Sequence, residues 1–178
     1  YLVNHSSKFF ANQEELFALK GKPETDEADK LYRNDGASGG SNQIVFTEVS
    51  QEAGIRHFGF GLSASIADWN QDGLPDIYVA NDFFEPDVLY VNQGNGTFKN
   101  EIEQYLGHTS FSSMGSDAAD FNNDGLVDLM VCDMQAADNY RKKAHMASMD
   151  VERFNRMIAE GYHYPVSYTH LRAHETSE

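Results

Sequence analysis

"DWNQDGLPD" (residues 68–76) and "DFNNDGLVD" (residues 120–128) are the stretches whose reading decides the fold. Each places Asp, Asn, Asp and Asp at its first, third, fifth and ninth positions, with Gly at the sixth. They align residue for residue at an offset of 52: Asp68/Asp120, Asn70/Asn122, Asp72/Asp124, Gly73/Gly125, Leu74/Leu126 and Asp76/Asp128. The flanks match too, "SASIAD" with "SDAAD" before the loops and "IYVAND" with "LMVCD" after them. Self-similarity at a fixed period is the signature of a repeat architecture.

A second block repeats in the same order. "DKLYRNDG…FTEVS" (Asp29 to Ser50) matches "DVLYVNQGNGTFKN" (Asp87 to Asn100), with Phe46 and Phe98 again 52 apart. Leu31 and Leu89 lie 58 apart, and the extra residues fall in "ASGGSNQ", a Gly/Ser-rich tip that lengthens at small entropic cost. Each unit reads as β-structure. "PDIYVAN" sets Ile77 and Val79 on one face and Tyr78 and Ala80 on the other, and "LSASIAD" carries the small residues of a strand in tight space. Gly94 and Gly96 in "NQGNG" supply the positive φ of a hairpin turn. About four short strands in some fifty residues is the size of a propeller blade. The fold class is therefore mainly β, a partial propeller with short peripheral helices.

The acidic loops have the chemistry of a hard-cation site. In a tight curl the odd positions converge, Gly at the sixth permits the turn, and the carbonyl of the seventh residue points inward. The expected donors are Asp68, Asn70, Asp72, the Leu74 carbonyl and Asp76, then Asp120, Asn122, Asp124, the Leu126 carbonyl and Asp128. An all-oxygen set of this size suits Ca²⁺, whereas Mg²⁺ demands a stricter octahedron with more water. Crowded carboxylates raise one another's pKa unless a cation sits among them. The bland alternative is two solvated Asx turns. An EF-hand shares the opening of the motif, but needs Glu at position 12 and helices on both sides. Val79 and Val131 stand there, and both flanks are strands.

Composition bounds the rest. The 178 residues carry 28 acidic and 13 basic side chains, a formal net charge of -15, with 40% hydrophobic and 12% aromatic residues. This is globular composition with a balance that repels nucleic acid and anionic membrane. Cys132 is the only cysteine, which excludes an internal disulfide, and its apolar surroundings suggest a buried small hydrophobe. No apolar run is long enough to span a membrane. The chain opens on Tyr1 with neither Met nor a leader, so it reads as an internal fragment.

Residues 1–28 form an N-terminal segment, with a short helix expected over Asn12 to Gly21 and a polar linker in "GKPETDEADK". Residues 29–165 hold the partial propeller, including a helical insertion at about 148–160 whose Met149, Phe154, Met157 and Ile158 form a packing stripe. The ending "VSYTHLRAHETSE" (Val166 to Glu178) breaks the pattern and resembles translated sequencing-adapter DNA, a non-native tail. His170 and His174 therefore count as chance, despite their helical spacing.

With these residues in view, the chain resembles the FG-GAP/VCBS repeats of integrin-α-like β-propellers. "FTEVSQEAGI", "ADWNQDGLPDIYVAND", "LYVNQGNGTF", "SMGSDAADFNNDGLVDLMVCDM" and "ERFNRMIAEGYHY" are similar, more narrowly, to bacterial relatives of cartilage acidic protein that often carry an ASPIC/UnbV domain. The resemblance spans roughly Asp29 to Tyr164. It implies a ring of about seven blades, of which this chain holds two to three, and a loop joining the two innermost strands of each blade as the calcium site.

Two functions compete. One is a non-catalytic, calcium-stabilised module outside the cytoplasm, at the cell surface or in the periplasm, for adhesion, assembly or binding of a protein or glycan. Its other partners are the remaining blades of the parent chain, with no nucleic acid involved. The alternative is a piece of a larger secreted or surface enzyme, for example a carbohydrate-active one. No nucleophile elbow, zincin helix or Walker loop is present. His57 and His108 read as satisfied loop histidines, and Asp82, Glu85 and Asp87 as an acidic surface loop rather than a glycosidase pair. Two or three blades cannot close a ring, so the isolated chain is expected to leave open edges and fold poorly alone.

Overall fold

A computed structural model describes residues 1–5, 28–37, 43–57, 59–82, 85–134, 151–161 and 165–166. In chain order its strands are β1 (Tyr32–Ala37), β2 (Ile44–Glu48), β3 (Gly61–Ala67), β4 (Asp76–Asn81), β5 (Val88–Asn92) and β6 (Phe98–Asn100). A short helix α1 (Ile102–Tyr105) leads to β7 (Thr109–Ser110), β8 (Ser113–Ala119) and β9 (Asp128–Asp133). Helix α2 (Val151–Ala159) and β10 (Pro165–Val166) follow.

Strands β3 to β6 form one antiparallel sheet in sequential order, a complete four-stranded blade. Its β5–β6 hairpin turns through Gly94 and Gly96, at φ 73° and 84°, and closes with Gln93 N donating to Thr97 O at 2.9 Å. Strands β8 and β9 are the inner pair of the next blade, and their register repeats that of β3 and β4 one for one. Both inner pairs slip at the same place, at Leu62 and at Met114. The mainly β, partial-propeller architecture expected from the repeat is the architecture found.

Every residue of β4 is buried, because blades cover the strand on both sides. Tyr78 and Ala80 pack with Trp69, Leu89 and Val91 against Leu129 and Val131 of the next blade, with Ile102 and Leu106 between. Ile77 and Val79 join Ala53, Ile55, Val88 and Tyr90 on the opposite side, where Tyr1, Val3 and Leu31 lean against them. Fully burying side chains of this size stabilises by about 1.5–3 kcal/mol each. Near the innermost edge the blades meet through hydroxyls, Ser65 Oγ and Ser63 Oγ lying 2.8 and 3.0 Å from Ser116 Oγ. The small residues of β3 serve this close approach.

The first five residues belong to a blade of their own. Leu2 bridges Lys30 as Val79 pairs with Val88, and the surrounding bonds repeat as well. Tyr1 Oη donates to Asp29 Oδ2 (2.7 Å), as Tyr78 Oη does to Asp87 Oδ2 (2.5 Å). Asn4 N donates to Asp29 Oδ1 (2.7 Å), as Asn81 N does to Asp87 Oδ1 (2.8 Å). Asn4 Nδ2 reaches Ala28 O, and Asn81 Nδ2 reaches Pro86 O. Residues 1–5 thus stand where β4 stands, and β1 and β2, paired antiparallel, stand where β5 and β6 stand. Three successive blades are represented, the first without an innermost strand among the described residues.

Two expectations need correction. Cys132 is exposed, not buried, because it alternates with the buried Val131 onto the face that looks away from the preceding blade. Asp82 and Asp87 are buried rather than part of an acidic surface loop, since Asp87 is the hydrogen-bonding hub just described. Helix α2 lies within the expected insertion, with Met157 buried and Gly161 at φ 76° just past its end. The helix expected over Asn12 to Gly21, most of the linker and the His170/His174 pair lie outside the described residues. Val166, taken as the first residue of the tail, pairs with Ser110 in a parallel β7–β10 bridge.

Candidate metal centre

The two acidic loops connect β3 to β4 and β8 to β9, joining the inner strands of successive blades. Their backbones superpose in conformation as well as sequence. Gln71 and Asn123 both take the left-handed region at φ 60° and 59°, followed by Gly73 and Gly125 at φ 85°. The fourth position was not singled out by the spacing of the carboxylates. Asn tolerates it, whereas Gln is held there against a cost of about 1–2 kcal/mol.

The side chains shape the loop from within. Asp68 accepts from Asp72 N (3.1 Å) and Gly73 N (2.9 Å), Asn70 Oδ1 from Asp72 N (3.1 Å), and Asp72 Oδ1 from Leu74 N (2.8 Å). Asn70 Nδ2 donates to Asp72 Oδ2 at 2.9 Å. The second loop repeats every bond: Asp120 accepts from Asp124 N (3.1 Å) and Gly125 N (2.9 Å). Asn122 Oδ1 accepts from Asp124 N (2.9 Å), Asp124 Oδ1 from Leu126 N (2.8 Å), and Asn122 Nδ2 donates to Asp124 Oδ2 (2.8 Å). Asp76 and Asp128 close the loops, accepting from Trp69 N (3.1 Å) and Phe121 N (3.0 Å). Asp76 also takes Asn92 N of β5 at 2.8 Å, tying the loop to the outer hairpin.

Asp76 and Asp128 are buried, while Asp72, Asp120, Asn122 and Asp124 are exposed and Asp68 and Asn70 half-buried. In this arrangement the carboxylates are turned onto the loop's own N–H groups. Among the described residues, no three His, Cys, Asp or Glu side chains converge as a metal-sized group.

The donor chemistry nevertheless fits a hard cation. Each loop offers three carboxylates and an amide, and a carboxylate oxygen accepting one N–H keeps a second lone pair. The carboxylates share one field: burial first, then the charges of Asp72 and Asp68, raise the Asp76 carboxyl above its ordinary range, against the bonds from Asn92 and Trp69. Tyr105 of α1 reaches Asn70, and its hydroxyl is raised by burial and then by Glu101, Asp76 and Asp72. Its approach to the loop could not be seen from sequence, because it comes from the following connection.

Burial lowers the His57 imidazole to about 4, partly offset by Asn81. A Cβ on Gly59 would lie 2.3 Å from His57 Nε2 and 2.8 Å from Asn81 Oδ1, so the two side chains close on one point with room only for glycine. His108 is half-buried and held by an interaction of its own.

Blades stacked face to face, each turning its inner strands through the same loop, define a β-propeller repeat module. Residues 68–131 match the family model of the FG-GAP-like repeat, a span running from the first acidic loop to Val131 of β9. That segment is an FG-GAP-like repeat, of a type that is generally non-catalytic and typical of extracellular or surface proteins. No curated protein matches the chain. Among the described residues no helix is long and apolar enough to cross a membrane.

Proposed function

We propose that the chain is a calcium-binding, non-catalytic propeller module that works outside the cytoplasm, in adhesion, assembly or binding of a protein or glycan. The observation that carries this reading is the coincidence of the two loops in sequence, backbone and hydrogen bonding. Two unrelated solvated turns have no reason to share a left-handed fourth residue and six matching bonds. Asp68, Asn70, Asp72, Asp76 and the Leu74 carbonyl would hold one Ca²⁺, and Asp120, Asn122, Asp124, Asp128 and the Leu126 carbonyl a second. The ion's charge would neutralise the loop carboxylates and pin the inner strands together, so that ion binding and blade stability are one equilibrium.

Thermal melts with calcium and with chelator, beside the double variant Asp72→Ala and Asp124→Ala, test the proposal. Saturating calcium at about 100 times Kd adds about 2.7 kcal/mol per site, and the double variant loses that response. A melting temperature indifferent to chelator overturns it.

A further inference from the structure

Tyr105 lies in α1, outside the first acidic loop, yet the fold brings its side chain to that loop. Helix α1 is tied down at both ends. Glu101 N donates to Leu89 O of β5 at 2.9 Å, and Leu106 N donates to Ile102 O at 2.8 Å. Ile102 and Leu106 are buried in the seam between blades. Tyr105, half-buried, packs against the same cluster, where it lines a small apolar pocket beside Trp69. Trp69 is the second residue of the loop, and this packing sets the Tyr105 hydroxyl against the third, Asn70.

Asn70 serves a cation only one way round, because an amide coordinates a hard ion through its oxygen and not its nitrogen. Oδ1 accepts one bond, from Asp72 N at 3.1 Å, and keeps a second lone pair. Nδ2 carries two hydrogens, and one goes to Asp72 Oδ2 at 2.9 Å. The Tyr105 hydroxyl, raised by burial and then by Glu101, is drawn down by Asn70, as an amide N–H donating to its oxygen does. The two contacts differ in permanence. Asp72 is itself among the expected ligands, and an Oδ2 that coordinates leaves the amide. The Tyr105 hydroxyl is not a ligand, and its helix holds it in place.

On the calcium reading of the loops, on which this rests, we propose that Tyr105 is a positioning residue for the first loop: its hydroxyl holds the Asn70 amide so that Oδ1 is the end offered to calcium. Removing a partner that orients a metal ligand typically lowers affinity about 10–100-fold, and a neutral hydroxyl on one ligand of several belongs at the low end.

Tyr105→Phe, which keeps the ring and removes the hydroxyl, tests this in two single-loop backgrounds. Calcium is titrated calorimetrically into Asp124→Ala, where the first loop alone is intact, and into Asp72→Ala, where the second is. With Tyr105→Phe added, the dissociation constant rises about tenfold in the first background and is unchanged in the second. Thermal melts separate positioning from packing. The gain in melting temperature that calcium gives Asp124→Ala shrinks with Tyr105→Phe, whereas the melt in chelator moves far less. In nuclear magnetic resonance spectra of the calcium-loaded chain, the Asn70 side-chain amide signals shift with Tyr105→Phe and those of Asn122 do not. An unchanged dissociation constant in Asp124→Ala overturns the role of Tyr105 and leaves the calcium sites standing, as does a chelator melt that falls while calcium affinity holds. Equal weakening in both backgrounds overturns it too, since the hydroxyl then acts on the blades as a whole. Calcium binding in neither background overturns the calcium reading itself, and this role with it.

Discussion

Asp87 is the polar residue whose loss should cost the blade most. Its carboxylate accepts from Tyr78 Oη at 2.5 Å, Asn81 N at 2.8 Å and, across the blade boundary, Ser113 Oγ at 2.7 Å. All four residues are buried. In Asp87→Ala those three donors keep their burial and lose their acceptor, at about 1–3 kcal/mol each, so the variant should lose at least about 3 kcal/mol. Asp87→Asn keeps one acceptor oxygen and should lose less. Asp87 also carries a pH signature. Burial raises the Asp87 carboxyl from 3.8 to about 6 despite the bonds from Asn81, Tyr78 and Ser113. The folded state therefore holds more protons than the unfolded state between those values, and stability falls as pH rises through that window. The contribution is full below pH 3.8 and lost above about 6, a change of about 3 kcal/mol at 1.36 kcal/mol per unit. Urea denaturation from pH 4 to 7 reads the difference in stability between wild type and Asp87→Asn, which should shift against wild type by about 2 kcal/mol, most of that change. A difference flat with pH, or an Asp87→Ala cost under 1 kcal/mol, refutes the reasoning.

Other substitutions probe the packing. Trp69→Ala should cost about 3–5 kcal/mol, measured by denaturation, because it empties the seam between blades. Phe121→Ala, at the same repeat position but 48% exposed, should cost far less. Gln71→Asn should raise stability by up to about 1 kcal/mol, since Asn adopts the left-handed conformation at lower cost and already stands at the matching Asn123. Gly59→Ala should destabilise the blade on melting, as its Cβ would fall 2.3 Å from His57 Nε2.

Much of the fold was legible because a repeat compares a sequence with itself. The offset of 52 aligned the loops, the inner strands and the hairpin without any partner structure, and alternation in "PDIYVAN" assigned both its faces. The place of the N-terminal segment in a blade escaped notice for a physical reason. It pairs with Lys30 across the insertion that separates Asn4 from Asp29, where the complete blade needs only the short step from Asn81 to Asp87. What identifies it is the Tyr-x-x-Asn…Asp constellation, Tyr1/Asn4/Asp29 against Tyr78/Asn81/Asp87, and Asp87 itself looked like surface acid. Cys132 was misjudged because an apolar run in a blade reports burial on both faces only where both neighbouring blades are in place. In the loops, the donor types were readable from spacing. The left-handed Gln71 and the visit of Tyr105 to Asn70 were not, since one is a backbone state and the other a tertiary contact.

The most direct measurement of the central claim is calorimetric titration of calcium into the metal-free chain, repeated with Asp72→Ala, with Asp124→Ala and with both. Two sites in the wild type, one in each single variant and none in the double variant is the predicted result. Heat of binding that survives in the double variant, or no binding to the wild type at millimolar calcium, would contradict it.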